Sequence, residues 1–148
     1  MPCATIAHML RRFLALPLFQ RKLVLCALVL HAAVVLLLAA FSFRRVRRLL
    51  SVAGRSRISP VSGTVGSEHV ARAVKASSRC LGRAGTCLTE SLTAAVLLRA
   101  LGIPASVAIG VRPPRGSVLS AHAWVESRGS IVYGAADEFT ALTMLEQA

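Results

Sequence analysis

Apolar residues crowd one end of this chain and recur at regular spacings towards the other. Residues 23–43, "LVLCALVLHAAVVLLLAAFSF", run for 21 positions without a formal charge, with Arg21 and Lys22 before them and Arg44, Arg45, Arg47 and Arg48 after. By length and hydropathy the segment suits a bilayer. The rival reading is a long helix, apolar nearly all round, that packs inside the protein. Both flanks are basic, so charge gives a span no orientation, and His31 in the middle is a mild cost to one.

Residues 51–67 are rich in Ser, Gly and Arg around Pro60 and read as a loop or linker. A helical pattern resumes over 68–76, with Val70 and Val74 on one face, and Gly82 and Gly85 break it. From Cys87 onward, Leu88, Leu92, Ala95, Val96 and Leu98 to Leu101 form one broad apolar face, which Gly102 and Pro104 end. Either Thr86 is the N-cap of this helix, or Cys87 caps with Glu90 three residues on. Both choices leave Cys87 in or beside the first turn.

Period two then replaces period 3.6. "ASVAIGV" predicts a short strand and "RPPRGS" a turn. "LSAHAWVE" alternates, with Ser120, His122, Trp124 and Glu126 on one face and Ala121, Ala123 and Val125 on the other. "SRGS" predicts a hairpin turn, "SIVYGA" a third strand, and residues 137–147 a short helix. The second half is therefore α+β: one helix, then three antiparallel strands.

At 148 residues the chain is one domain's worth, with a single core. We divide it into an apolar and basic helical region (1–50), a linker (51–67) and a core (68–148). The formal charge of +12 is uneven: residues 1–86 carry 14 Lys and Arg against Glu68, and residues 87–148 carry 4 against 5 acids. Such a basic half attracts nucleic acid, an anionic membrane face or an acidic peptide. Nucleic acid is set aside, because Phe13, Phe19, Phe41 and Phe43 lie near the apolar segment and do not interleave with a basic patch. The plain alternative is a solvated, arginine-rich surface. Cys3, Cys26, Cys80 and Cys87 form neither zinc-type pairs nor a disulfide framework, and Cys26 in the apolar run reads as a small hydrophobe. With no cleavable signal evident, a reducing cytoplasm is expected.

Cys87 is the residue with chemistry to offer. A thiolate is the nucleophile in cysteine catalysis, and a helix N-terminus favours that anion through its dipole and unpaired amides. A nearby imidazole can hold the proton and later deliver it to a leaving amine. His122 is the one histidine after the cysteine, since His8, His31 and His69 all precede it. Taken singly, a cysteine at a helix start and a histidine on a strand are more often structural. Their order and topology together match the papain-like and transglutaminase-like layout, in which the third member lies on the next strand.

The block "TCLTESLTAAVLLRALGIPASVAIGV" followed by "AHAWVE" closely resembles the lasso peptide B2 proteins, leader peptidases of the transglutaminase-like superfamily. The Cys-Leu start, the paired leucines, "GIP", "IGV" and "AHAWVE" occur in the family's order. Upstream, the apolar segment and "FSFRRVRRLL" are similar too, so the resemblance covers about 130 residues. It shifts residues 23–43 towards a helix packed on the second half, with peripheral membrane contact still open. It implies a papain- or transglutaminase-like core, a Cys-bearing helix on a small antiparallel sheet, preceded by N-terminal helices. By matching position Cys87 is the nucleophile and His122 the base, while Cys80 matches no family cysteine.

The third member departs from the pattern. Many relatives place an Asp where this chain has Gly134. If Ser127 and Ser130 pair across the turn, His122 faces Ala135, and Asp137 is the acid that could reach back. Glu138, Glu126, a backbone carbonyl or a water are the alternatives. Trp124 shares the histidine's face, as a substrate contact or as a core aromatic.

The resemblance implies a cysteine peptidase that removes the leader from a lasso precursor peptide, with no metal or organic cofactor. It also implies a separate B1 leader-recognition protein as partner, and an asparagine-synthetase-like cyclase acting afterwards. Two other readings stay open: a membrane-anchored peptide-binding module with an idle thiol, and an enzyme that passes its acyl group to an amine.

Overall fold

In the computed structural model, which describes residues 13–53, 65–115, 118–134 and 139–145, the helix that begins at Cys87 lies at the centre. Three helices precede it: α1 (Leu18–Ala40), α2 (Phe43–Ala53) and α3 (Ser67–Leu81), the last followed by a 3-10 turn (Gly82–Ala84). The central helix, α4 (Cys87–Ala100), leads into β1 (Ser106–Arg115), β2 (Val118–Ser127), β3 (Ser130–Tyr133) and β4 (Thr140–Leu145).

Every residue of α4 from Ser91 to Leu98 is buried, because α1, α2 and α3 pack on it as well as β1 and β2. A helix surrounded in this way has no face for a charge between Ser91 and Leu98, and its polar residues there are small, Thr93 donating to the Thr89 carbonyl at 2.7 Å. Leu92 and Leu98 join Val107, Ala123 and Val125 of the sheet in one core. Each leucine so buried contributes about 2 kcal/mol.

Helix α1 is long and apolar enough to cross a membrane by length and composition, with a mean hydropathy of 2.9. It is also packed on one side. Ala27, His31 and Val34, at i, i+4 and i+7, are buried against α3 and α4, and Phe19 meets the ring of His69 at the start of α3 at 5.6 Å. The opposite side is uncovered, with Leu25, Val29 and Leu36 exposed. Cys26, read from the sequence as a small hydrophobe, is exposed as well. It falls between the two faces, where apolar neighbours in sequence are not neighbours in the core. Helix α2 buries Val46 and Leu50 and exposes Arg44, Arg45, Arg47 and Arg48.

The sheet is antiparallel throughout, in the order β3-β2-β1-β4. Strand β1 continues past the expected end at Val111 into the prolines, and the ladder is irregular between Arg112 and Arg115, where the proline nitrogens have no hydrogen to donate. The turn after β2 is two residues, Arg128 and Gly129, both at positive φ (50° and 77°), the backbone that suits a tight hairpin. Ser127 pairs with Ser130 as expected, but a bulge follows: Glu126 faces Ile131, and Val125 faces Tyr133 rather than Val132. The expected facing of His122 and Ala135 assumed an unbroken ladder. The bulge displaces the register by one, and Ala135 lies outside the described residues.

The expected C-terminal helix over 137–147 is corrected. Thr140–Leu145 form β4, paired with β1 through Val107 and Leu145, Ile109 and Thr143, and Gly110 and Ala141. Ala, Leu and Met favour a helix locally, but β1 offers an otherwise unpaired edge, and pairing there satisfies the backbone of both strands.

Candidate active site

Cys87 owes its position to a cap. Thr86 Oγ1 accepts the Thr89 amide at 3.3 Å, and Thr89 Oγ1 accepts the Thr86 amide at 2.9 Å, a reciprocal capping box. Of the two caps the sequence allowed, Thr86 is the one formed. Thr89, rather than Glu90, completes it.

Behind the cap lies His31. Its Nδ1 is 3.0 Å from Ser77 Oγ and its Nε2 is 2.9 Å from Thr89 Oγ1, and the residue is fully buried. Ser77 donates its own proton to the Val74 carbonyl at 2.8 Å, so it accepts from His31 Nδ1–H. Nε2 pairs with the Thr89 hydroxyl, whose single proton also has the Thr86 carbonyl within reach at 3.0 Å. Burial holds the imidazole below its ordinary 6.5, against a smaller opposing pull from the Glu90 charge.

Glu90, one turn into α4, joins three elements. Ser78 of α3 donates to its Oε1, and Tyr133 of β3 donates to its Oε2 at 2.6 Å. Burial, followed by the hydrogen bond and charge of Glu90, pushes the Tyr133 hydroxyl well above its usual range, so it stays a donor.

These elements border an open cavity of about 690 Å³. Cys87 and Glu90 line it from α4, Arg72 and Lys75 from α3, His122 from β2, Tyr133 and Gly134 from the edge of the sheet, and Phe139 from the approach to β4. Cys87 and His122 thus border one space. No hydrogen bond joins them among the described residues. The His122 ring lies 5.1 Å from that of Phe139, centroid to centroid, and the Arg112 guanidinium sits over the far partner, 5.4 Å from the Phe139 centroid.

The expected acids fall differently. Asp137 and Glu138 lie outside the described residues. Glu126 is engaged elsewhere, its Oε1 accepting Trp124 Nε1–H at 2.7 Å. Gly134, where the resemblance implied an Asp, has φ of +79°, and a Cβ there would sit 3.1 Å from Trp124 Cβ. An aspartate would be strained at that backbone whatever its side chain did.

Trp124 is 3% exposed and does not line the cavity. Its neighbours Ala123 and Val125 point into the helical core, so the indole lies on the other face, over Gly110. A Cβ on Gly110 would come within 2.7 Å of the ring, and its absence makes the room. Gly110 is also the register partner of His122, so the indole packs beside the backbone that pairs with the imidazole's strand.

Sequence reasoning missed Phe139, the Glu90–Tyr133 pair and His31. "FTALTM" carries no period-two signal, since its threonines are three residues apart; the links to Glu90 and His31 span 43 and 58 residues and leave no local mark. Among the described residues, no three His, Cys, Asp or Glu side chains gather as a metal site requires.

No curated protein and no solved structure matches the chain. A family model does, over residues 28–147, from the middle of α1 through β4, and its description is the transglutaminase-like superfamily. That family commonly works through a cysteine, and its layout is the α+β one seen here, with helices preceding a small antiparallel sheet. A match across most of the chain, on a fold whose central helix opens with a cysteine facing a histidine-lined cavity, makes this protein a member of the transglutaminase-like superfamily.

Proposed function

We propose that this protein is a cysteine peptidase that removes the leader from a lasso precursor peptide, with Cys87 as nucleophile and His122 as its proton carrier. The observation that supports this most is that the first residue of α4 and the imidazole of β2 border one cavity. The Cys87 thiolate attacks the scissile carbonyl carbon, and the oxyanion forms beside the first-turn amides of α4. The C–N bond breaks, His122 protonates the departing amine, and the leader remains as a thioester on Cys87. Water, giving a proton to His122, then releases the leader as a carboxylic acid. Asp137 is proposed to orient the imidazole.

The core peptide leaves with a free α-amine, which an asparagine-synthetase-like cyclase would use to close the ring. A separate B1 protein would hold the leader. One observation favours a second reading, a peptide-binding module with an idle thiol: Cys87 and His122 are not hydrogen-bonded to one another. Catalytic hydrogen bonds often tighten only once substrate is bound, so the peptidase reading is the one we keep.

The test is cleavage of a lasso precursor in the presence of B1, followed by mass spectrometry. Hydrolysis predicts a leader fragment carrying one added water and no product from Cys87→Ala. Undiminished cleavage by Cys87→Ala would overturn the proposal, and a leader fragment joined to an added amine would make the protein a transferase.

A further inference from the structure

Helix α1 has two faces of opposite fate. Ala27, His31 and Val34 are buried, and Leu18, Leu25, Val29 and Leu36 lie exposed on the diametrically opposite side, separated by seven, four and seven residues. Val29 is 71% exposed and Leu36 69%. Phe41 extends the apolar surface past the helix end, and Leu49 and Val52 add to it from α2. Soluble proteins seldom leave so continuous an apolar stripe in water, so something covers it.

The charges around the stripe indicate what. Arg21 and Lys22 stand at its beginning and Arg44, Arg45, Arg47 and Arg48 just beyond its end, so both ends are cationic. A spanning helix would put one cationic end on each side of the bilayer. A helix lying flat keeps both ends at a single anionic surface. The buried face settles against spanning as well, since His31 at its middle is hydrogen-bonded to Ser77 and Thr89 of the catalytic half. A second copy is a poor occupant, because each chain brings the same +12 charge.

We infer that the exposed face of α1, with the arginines of α2, docks flat on an anionic phospholipid surface. The stripe enters the acyl boundary, the arginines meet phosphate headgroups, and the catalytic half rests on top. Nothing in this uses Cys87, so it stands or falls separately from the peptidase reading.

The test is flotation of the full-length protein with vesicles of phosphatidylcholine, with and without phosphatidylglycerol. Three variants are compared with the wild type: Leu25→Glu with Val29→Glu, Arg44, Arg45, Arg47 and Arg48 all to Gln, and Cys87→Ala as a control. Docking predicts binding to the phosphatidylglycerol vesicles that salt weakens and alkaline carbonate strips. The glutamate and glutamine variants each lose about tenfold or more in partition, with unchanged circular dichroism, and Cys87→Ala binds like the wild type. Should the glutamate pair not fold, the glutamine variant and the salt dependence carry the test alone. Three results overturn the inference: flotation insensitive to salt and to the glutamine variant; retention through carbonate, which marks a span; or no flotation, with self-association or binding to a protein partner that the glutamate pair abolishes.

Discussion

The Nε2 atom of His31 lies 2.9 Å from the hydroxyl of Thr89, which ties the middle of the apolar helix α1 to the first turn of the helix that Cys87 opens. The same hydroxyl accepts the Thr86 amide and completes the cap. The histidine is therefore part of what fixes the cysteine in place, although 56 residues separate them in sequence.

Replacing His31 should cost stability in two ways. His31→Leu leaves the Ser77 and Thr89 hydroxyls without their buried partner and fills the site imperfectly, for an expected loss of about 2 to 4 kcal/mol. Urea denaturation of the two proteins measures it. A loss under about 0.5 kcal/mol would mean that the network is incidental.

A pH dependence follows from the same ring. Burial depresses the folded pKa of His31 below the ordinary 6.5, so below about pH 6.5 the unfolded chain binds more protons than the folded one. The stabilisation is complete above that pH. It declines as the pH falls from there towards the folded group's own value, and then levels off. Denaturation midpoints between pH 8 and 5 should fall for the wild type and change less for His31→Gln, which titrates no proton at this site.

Gly134→Asp would supply an acid where the resemblance implied one, yet we expect it to harm the protein. The positive φ and the close approach to Trp124 together predict a destabilisation of about 1 to 3 kcal/mol. Thermal unfolding and precursor cleavage should both decline. A gain in cleavage at unchanged stability would show that the backbone here adapts and that the acid was simply missing.

Tyr133→Phe removes the hydroxyl that donates to Glu90 Oε2 at 2.6 Å and leaves Ser78 as the partner of that carboxylate. The expected cost is about 1 to 3 kcal/mol, the range for a hydrogen bond to a charged group. Glu90→Gln, which keeps the shape and loses the charge, should cost less than Glu90→Ala. Chemical denaturation of the three variants checks the order.

Much of this fold was legible because its signals are local. The helix beginning at Cys87, the "SRGS" hairpin and the alternation through "AHAWVE" each follow from short-range spacing and turn chemistry, which also narrow the helix cap to Thr86 or Cys87. The end of the chain was not. "TALTML" reads as helix by propensity and becomes β4 only because β1 has an edge to offer, a fact of tertiary structure. The bulge between Val125 and Glu126 was equally silent, and it shifts the register on which the expected position of the third catalytic member depended. In the site itself, Cys87 and His122 follow as candidates from residue type and order, and both line the cavity. Phe139 was hidden by the helix expectation, and His31 by its place in a run that hydropathy alone had already explained.

The central claim is that the Cys87 sulfur takes up the leader as a thioester with help from His122, and trapping that thioester tests it most directly. Precursor and B1 are mixed with the protein, quenched in acid, digested, and mapped by mass spectrometry. The account predicts a leader-derived acyl group on the peptide containing Cys87, absent in Cys87→Ala and strongly reduced in His122→Ala. Cleavage that proceeds with no acyl group on Cys87, or that survives its replacement, would contradict it.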